Sequence, residues 1–212
     1  MTEQPQAREP EFLDGIAGRL REERVRADLS QRELARRLGL SPSLISQLES
    51  GQSRPSVGTL YAIVTELGIS LDRLIRGEES AVEGPPSERA PVLRPTERAT
   101  IDLDSGVRWE ELADEDGVDF LLATYEVGGA STSDASLIRH QGREYGYILR
   151  GTLHVRIGFR DHELHPGDSI AFDSTTPHRL ENRGDEPVEA LWFVVGREAD
   201  HRTDGPGSGG PL

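Results

Sequence analysis

The sequence predicts two domains of opposite class, an all-α domain of five helices followed by an all-β domain, and three observations predict it. Apolar residues recur at helical spacing from Phe12 to Ile75, then at period two from Ala99 to Val195. Between them lie Glu78, Glu79, Glu83 and Glu88 with Gly84-Pro85-Pro86, Pro91 and Pro95, a composition that buries nothing and reads as a linker. A length of 212 residues suits two small domains, each with a modest core of its own. The expected boundaries are a flexible N-terminus at 1–11, a helical domain at 12–76, a Pro/Glu-rich linker at 77–96, a β-domain at 97–198 and a disordered tail at 199–212.

The first helix carries Ile16, Leu20 and Ala27 along one side. Ser30-Gln31-Arg32-Glu33 opens the second as a capping box, in which Ser30 accepts from the Glu33 N–H and the Glu33 side chain reaches back. Leu34, Ala35 and Leu38 form its apolar face, and Gly39 provides the C-terminal cap. After the turn Gly39-Leu40-Ser41, Ser41 caps a third helix with Pro42 at its first position, running to about Glu49 and stopped by Gly51. Leu44, Ile45 and Leu48 take one side of it and leave Ser43, Ser46 and Gln47 on the other. A fourth helix follows Pro55-Ser56 with Leu60, Ile63, Val64 and Leu67, and a short fifth follows Ser70.

In the second half, Leu153, Val155, Ile157 and Phe159 alternate with Thr152, His154, Arg156 and Gly158, which predicts a strand with one buried face. Similar runs at Asp119 to Val127, Tyr145 to Leu149, Ser169 to Phe172 and Val188 to Val195 are separated by Gly, Pro and Asp turns. Short strands at this density predict a sandwich or small barrel.

Composition narrows the partners. The net charge of −14 is uneven: residues 1–76 hold 11 Arg against 11 acids, residues 77–212 hold 13 Arg against 27. From Arg19 to Arg37 there are seven Arg to four acids, so a local positive face remains for phosphate. The longest apolar run, Ala190 to Val195, falls far short of the ~20 residues of a membrane span, so no membrane partner is expected. Glu3 and Glu9 make the N-terminus unlike a signal peptide, and a cytoplasmic location is expected. With no cysteine, disulfides and thiolate metal sites are excluded, and any metal must use His, Asp or Glu.

Two helices joined by a three- to four-residue turn are the arrangement that sets the second helix into the major groove of DNA. Ser43, Ser46 and Gln47 then reach base edges, and Gln31 meets phosphate at a helix N-terminus. The run Leu29-Ser30-Gln31-Arg32-Glu33-Leu34-Ala35, then Gly39-Leu40-Ser41, Ile45-Ser46-Gln47-Leu48-Glu49-Ser50-Gly51 and Arg54-Pro55-Ser56, resembles the phage-repressor-like (XRE-type) helix-turn-helix regulators over residues 13–76. The resemblance implies DNA contacts from Gln31, Ser41, Ser43 and Gln47, with Arg54 on phosphate. Pro42 and Leu44 replace polar residues common in phage members and are left out of the base-reading set.

Two further motifs stand in the β-half: His140-Gln141-Gly142-Arg143-Glu144-Tyr145-Gly146-Tyr147-Ile148-Leu149-Arg150-Gly151, and Pro166-Gly167-Asp168-Ser169 followed by Pro177-His178-Arg179-Leu180-Glu181-Asn182. They resemble the cupin family, whose fold is a jelly-roll barrel. Metal-binding members offer two His and a Glu from the first motif and a His from the second; here Ile138 stands at the first His position. The resemblance leaves His140, Glu144 and His178. These are either a 2-His-1-carboxylate set for a divalent metal (Fe, Zn, Mn or Ni), or a polar floor that hydrogen-bonds an organic effector with no cofactor required. His154, His162, His165 and His201 are expected at the surface or at strand edges, and Trp192, Phe193, Phe172 and Phe120 as packing.

The two resemblances together imply a sequence-specific transcriptional regulator, not an enzyme and so without catalytic residues. Its cupin domain would bind a small-molecule effector, and it would sit as a homodimer on a palindromic operator in double-stranded DNA, with the linker transmitting the signal. The alternative is a non-haem Fe(II) cupin enzyme of the hydroxypropylphosphonate epoxidase type, with His140, Glu144 and His178 holding iron.

Overall fold

A computed structural model of the chain describes residues 10–76, 92–113, 118–132 and 135–196. Most of the expected linker and N-terminus, and all of the expected tail with His201, lie outside them. Five helices come first: α1 (Pro10–Arg26), α2 (Gln31–Leu38), α3 (Pro42–Glu49), α4 (Val57–Leu67) and α5 (Leu71–Arg76). Hydroxyls set the starts of the last four. Ser30 accepts from the Glu33 N–H and Ser41 from that of Leu44, both at 3.1 Å, and Ser56 and Ser70 do the same for Thr59 and Arg73. Gly39 and Gly68 end α2 and α4 at φ 68° and 64°, the left-handed conformation a C-terminal cap needs. The expected capping box is half made, because the Glu33 carboxylate turns to Arg36 and Arg37 instead of to the Ser30 N–H. Ala27 lies beyond the end of α1 and is exposed.

Ile16, Leu20, Leu34, Ile45, Leu48, Leu60, Ile63 and Leu74 close the helical core. Burial of each such side chain stabilises the fold by about 1.5–3 kcal/mol. A buried ion pair ties three helices together beside it. Arg24 of α1 grips Glu49 of α3 with two N–H groups, and Gln31 of α2 donates to the same carboxylate at 2.8 Å. Burial alone would push the Glu49 carboxyl up, but these donors outweigh it and hold it below the ordinary carboxylate value.

The second half forms two sheets. The strands are β1 (Thr100–Leu103), β2 (Val107–Glu111), β3 (Val118–Tyr125), β4 (Arg143–Arg150), β5 (Leu153–Ile157), β6 (Arg160–Leu164), β7 (Ser169–Asp173), β8 (His178–Glu181) and β9 (Val188–Val195). One sheet has the order β1-β2-β3-β9-β4-β7 and the other β6-β5-β8, with every pairing antiparallel. Alternation assigns the faces: Val188, Ala190, Trp192 and Val194 of β9 point inward with Glu144, Gly146 and Ile148 of β4. Phe159 departs from the expected alternation. The chain turns at Gly158, φ 58°, and leaves Phe159 fully exposed outside the strand.

The helical and β-domains touch. The Gly58 N–H in the first turn of α4 donates to the Ser131 carbonyl at 3.1 Å, and the Asp104 N–H donates to the Pro55 carbonyl at 2.8 Å. Among the described residues no helix is long and apolar enough to cross a membrane.

Candidate functional sites

The face of α3 opposite its core is open. Ile45 and Leu48 are buried, whereas Ser43, Ser46 and Gln47 are exposed, as is Ser41 at the N-terminus of the helix. The side-chain carbonyl oxygen of Gln47 accepts from the Ser53 hydroxyl at 3.3 Å, a contact that steadies the side chain. Arg54, in the loop after α3, is exposed as well. Gln31 is half-buried, and one of its amide N–H groups is spent on Glu49. That bond makes Gln31 a brace between α2 and α3, a role its position as first residue of a helix did not announce.

The second site lies between the sheets. His140 comes from the loop before β4, Glu144 from the inner face of β4 and His178 from the start of β8, and all three are buried. The Nε2 atoms of His140 and His178 stand 3.0 and 3.1 Å from the same oxygen, Glu144 Oε1. The Nδ1 atoms lie 3.0 Å from the Gln141 carbonyl and 2.9 Å from that of Thr176. A carbonyl only accepts, so each Nδ1 carries a proton, the tautomer in which an imidazole can turn an Nε2 lone pair to the centre. The separations there are those of ion pairs, yet the alignment is not that of hydrogen bonds: both Nε2 atoms and Glu144 Oε1 lack a hydrogen-bond partner. Three buried acceptors that converge without a donor, with ligand atoms all within 4.8 Å of one another, suit a cation.

The surroundings strengthen that reading of the chemistry. The Trp192 indole N–H donates to Glu144 Oε2 at 2.6 Å and fixes the carboxylate's orientation. Trp192 was expected only to pack. Its room is made by Gly146, directly across in the register, where a Cβ would stand 2.1 Å from the indole ring. A glycine inside a strand is the signal that marks such a close approach. Phe172 meets His178 with ring centroids 4.9 Å apart, whereas Phe120 and Phe193 stack on each other on the outer face. His162 and His165 are exposed and His154 is half-buried on β5, away from the triad. Ile138, in place of a further ligand, pairs its backbone with His178.

Comparison with known proteins finds relatives of both domains. The helix-turn-helix family model matches residues 20–74 and the cupin-domain model residues 121–194. The chain is 30% identical over 165 residues to the HTH-type transcriptional regulator PuuR of Escherichia coli (strain K12), covering 77% of this chain and 85% of that protein. The HTH-type transcriptional regulator SutR of the same organism is 22% identical over 179 residues, 84% of this chain and 90% of that one. A crystal structure of an HTH_3 family transcriptional regulator from Vibrio cholerae shares the fold with a TM-score of 0.64, 24% identity, and coverage of 87% of this chain and 97% of that chain. The chain belongs to the XRE-type helix-turn-helix transcriptional regulators that carry a C-terminal cupin domain.

Proposed function

We propose that this regulator binds a palindromic operator as a homodimer and that its cupin domain senses a small-molecule effector, with His140, Glu144 and His178 holding a divalent metal. Ser43, Ser46 and Gln47 read base edges. Ser41, Gln31 and Arg54 serve the backbone, where positive and helix N-terminal groups set position more than sequence. The observation that carries the effector site is the convergence of three buried, partnerless acceptors between the two sheets. A bound divalent ion would act there as a Lewis acid toward an anionic or carbonyl-bearing effector. The chain's own part is to hold both imidazoles in one tautomer through the Gln141 and Thr176 carbonyls and to keep the Glu144 carboxylate oriented through Trp192.

The homodimer has its support in the outer face of the larger sheet. Tyr145, Tyr147 and Leu149 on β4 are each about 40% exposed, and Phe193 and Leu191 lie beside the two tyrosines in register. A second copy covers this face and supplies the second reading helix, which places half-sites about one helical turn apart, ~10 bp. A sensor rather than a catalyst is favoured because the reading face of α3 stays open to solvent while the triad sits enclosed.

The test combines metal analysis of purified protein with gel shifts on the DNA upstream of its own gene. Sequence-selective, salt-sensitive binding and a bound divalent ion lost in His178→Ala are the expected results. Binding no better than to random DNA contradicts the regulator's operator, and oxygen uptake by iron-loaded protein with a substrate contradicts the sensor.

A further inference from the structure

α4 has two occupied faces. Leu60, Ile63 and Val64 pack into the helical core, while Gly58 and Tyr61, on an adjacent stripe, meet the β-domain. A Cβ on Gly58 would stand 2.4 Å from Ile138 Cγ2, so the helix is seated as closely as the backbone allows. Tyr61, only 4% exposed, lays its ring on His140 with centroids 4.2 Å apart and 26° between planes, and touches Trp109 at 5.5 Å. The side chain of His140 is thereby 2% exposed. Beside the stack a cleft of about 350 Å³ opens between Ala62, Thr65 and Glu66 of α4 and Arg139, His140 and Gln141 of the β-domain. A molecule that approaches His140 from that cleft touches both domains.

We propose that Tyr61 is a positioning residue of the cupin site: the DNA-reading domain supplies the wall over His140, and occupancy of the triad is passed to the helix-turn-helix through this stack rather than along residues 77–91. The proposal rests on the cation reading of the triad in the preceding section. With a cation on Nε2 the His140 ring is fixed in orientation and polarised positively, and a positively polarised ring is attracted to the electron-rich face of a phenol. Occupancy then favours the docked arrangement of the two domains, and by linkage the docked arrangement favours occupancy. Since the outer face of α3 is open in this arrangement, docking acts by orienting the reading helix and not by covering it.

The Gly58 amide reports the state directly. It sits in the first turn of α4, where no carbonyl of its own helix can accept from it, and its partner is Ser131 in the other domain. The experiment uses the full chain, with zinc alone as the probe. It compares wild type with Tyr61→Leu by zinc calorimetry, amide exchange at Gly58 and affinity for operator DNA. In wild type, zinc is expected to slow Gly58 exchange and to change DNA affinity, each at least about fivefold. In Tyr61→Leu zinc still binds, and both responses fall to within about twofold. Zinc bound by wild type without a change in Gly58 exchange, or a Tyr61→Leu protein that responds as wild type does, overturns the proposal. Absence of zinc binding in wild type defeats the cation reading alone, and the stack is then judged without metal. His140→Ala and Tyr61→Leu must both accelerate Gly58 exchange and alter DNA affinity by similar factors; exchange unchanged in Tyr61→Leu overturns it.

Discussion

At the residue scale, Glu144 is held by what surrounds it. Its carboxylate is oriented by Trp192, and Trp192 in turn needs the missing side chain of Gly146. Gly146→Ala therefore forces the indole aside, at a cost of about 1–3 kcal/mol for overpacking. Trp192→Phe removes the N–H donor together with part of the buried ring, and zinc affinity measured by calorimetry should fall about 10- to 100-fold in both variants, the usual effect of losing a partner of a metal ligand. Unchanged affinity in Trp192→Phe would leave Trp192 a packing residue, as the sequence suggested. The triad was legible through the resemblance of its two motifs to the cupin family, whose ligand positions fall on His140, Glu144 and His178. Trp192 stayed hidden because alternation tells which face a residue takes and not which atom it meets across a sheet. Gln31 shows the same gap on the DNA side, since its tie to Glu49 follows from the packing of α2 on α3.

At the scale of elements, local rules carried the helical half almost whole. Serine caps and terminal glycines are short-range chemistry, and α2, α3 and α4 begin where Ser30, Ser41 and Ser56 said they would. Strands were harder. β6 is exposed at four of its five residues and offers no alternation, so Arg160–Leu164 could be found only through its pairing with β5. Two predictions belong to the helices. Glu49→Ala leaves Arg24 buried without its partner and should cost about 3–5 kcal/mol in denaturant melts. Because the Glu49 carboxyl is held below its unfolded value, the pair contributes stability above the unfolded value, which lies near pH 4.3. That contribution is lost as pH falls through the folded value, so acid melts of wild type should show a loss below about pH 4 that Glu49→Ala lacks. Gln47→Ala, on the open face of α3, should leave stability unchanged and weaken operator binding by about 1–3 kcal/mol, with the salt dependence preserved.

The whole molecule joins an even-charged helical half to a remainder, residues 77–212, that carries the entire net charge of −14. Electrostatics thereby favour presentation of the helical half, and not the cupin face, to phosphate; Arg24 is buried on Glu49 and Arg36 and Arg37 pair with Glu33, so within Arg19 to Arg37 it is the exposed Arg21 and Arg32 that remain for it. The contact between the halves was not legible in the sequence. Gly58 and Tyr61 look there like ordinary residues of an amphipathic helix, and only the register of α4 against Ile138 and His140 gives them meaning. Gly58→Ala is the whole-molecule counterpart of the variants above. The alanine favours the helix but collides with Ile138, so the helical domain should melt no lower while the two domains lose their docked contact, seen as faster exchange at the Asp104 amide. The most direct measurement of the central claim is selection of binding sites by the full-length protein from a pool of randomised duplex DNA, repeated with Gln47→Ala. The account predicts one enriched palindrome with half-sites about 10 bp apart, with altered or relaxed preference in the variant; no enriched sequence, or an identical palindrome from both proteins, would contradict it.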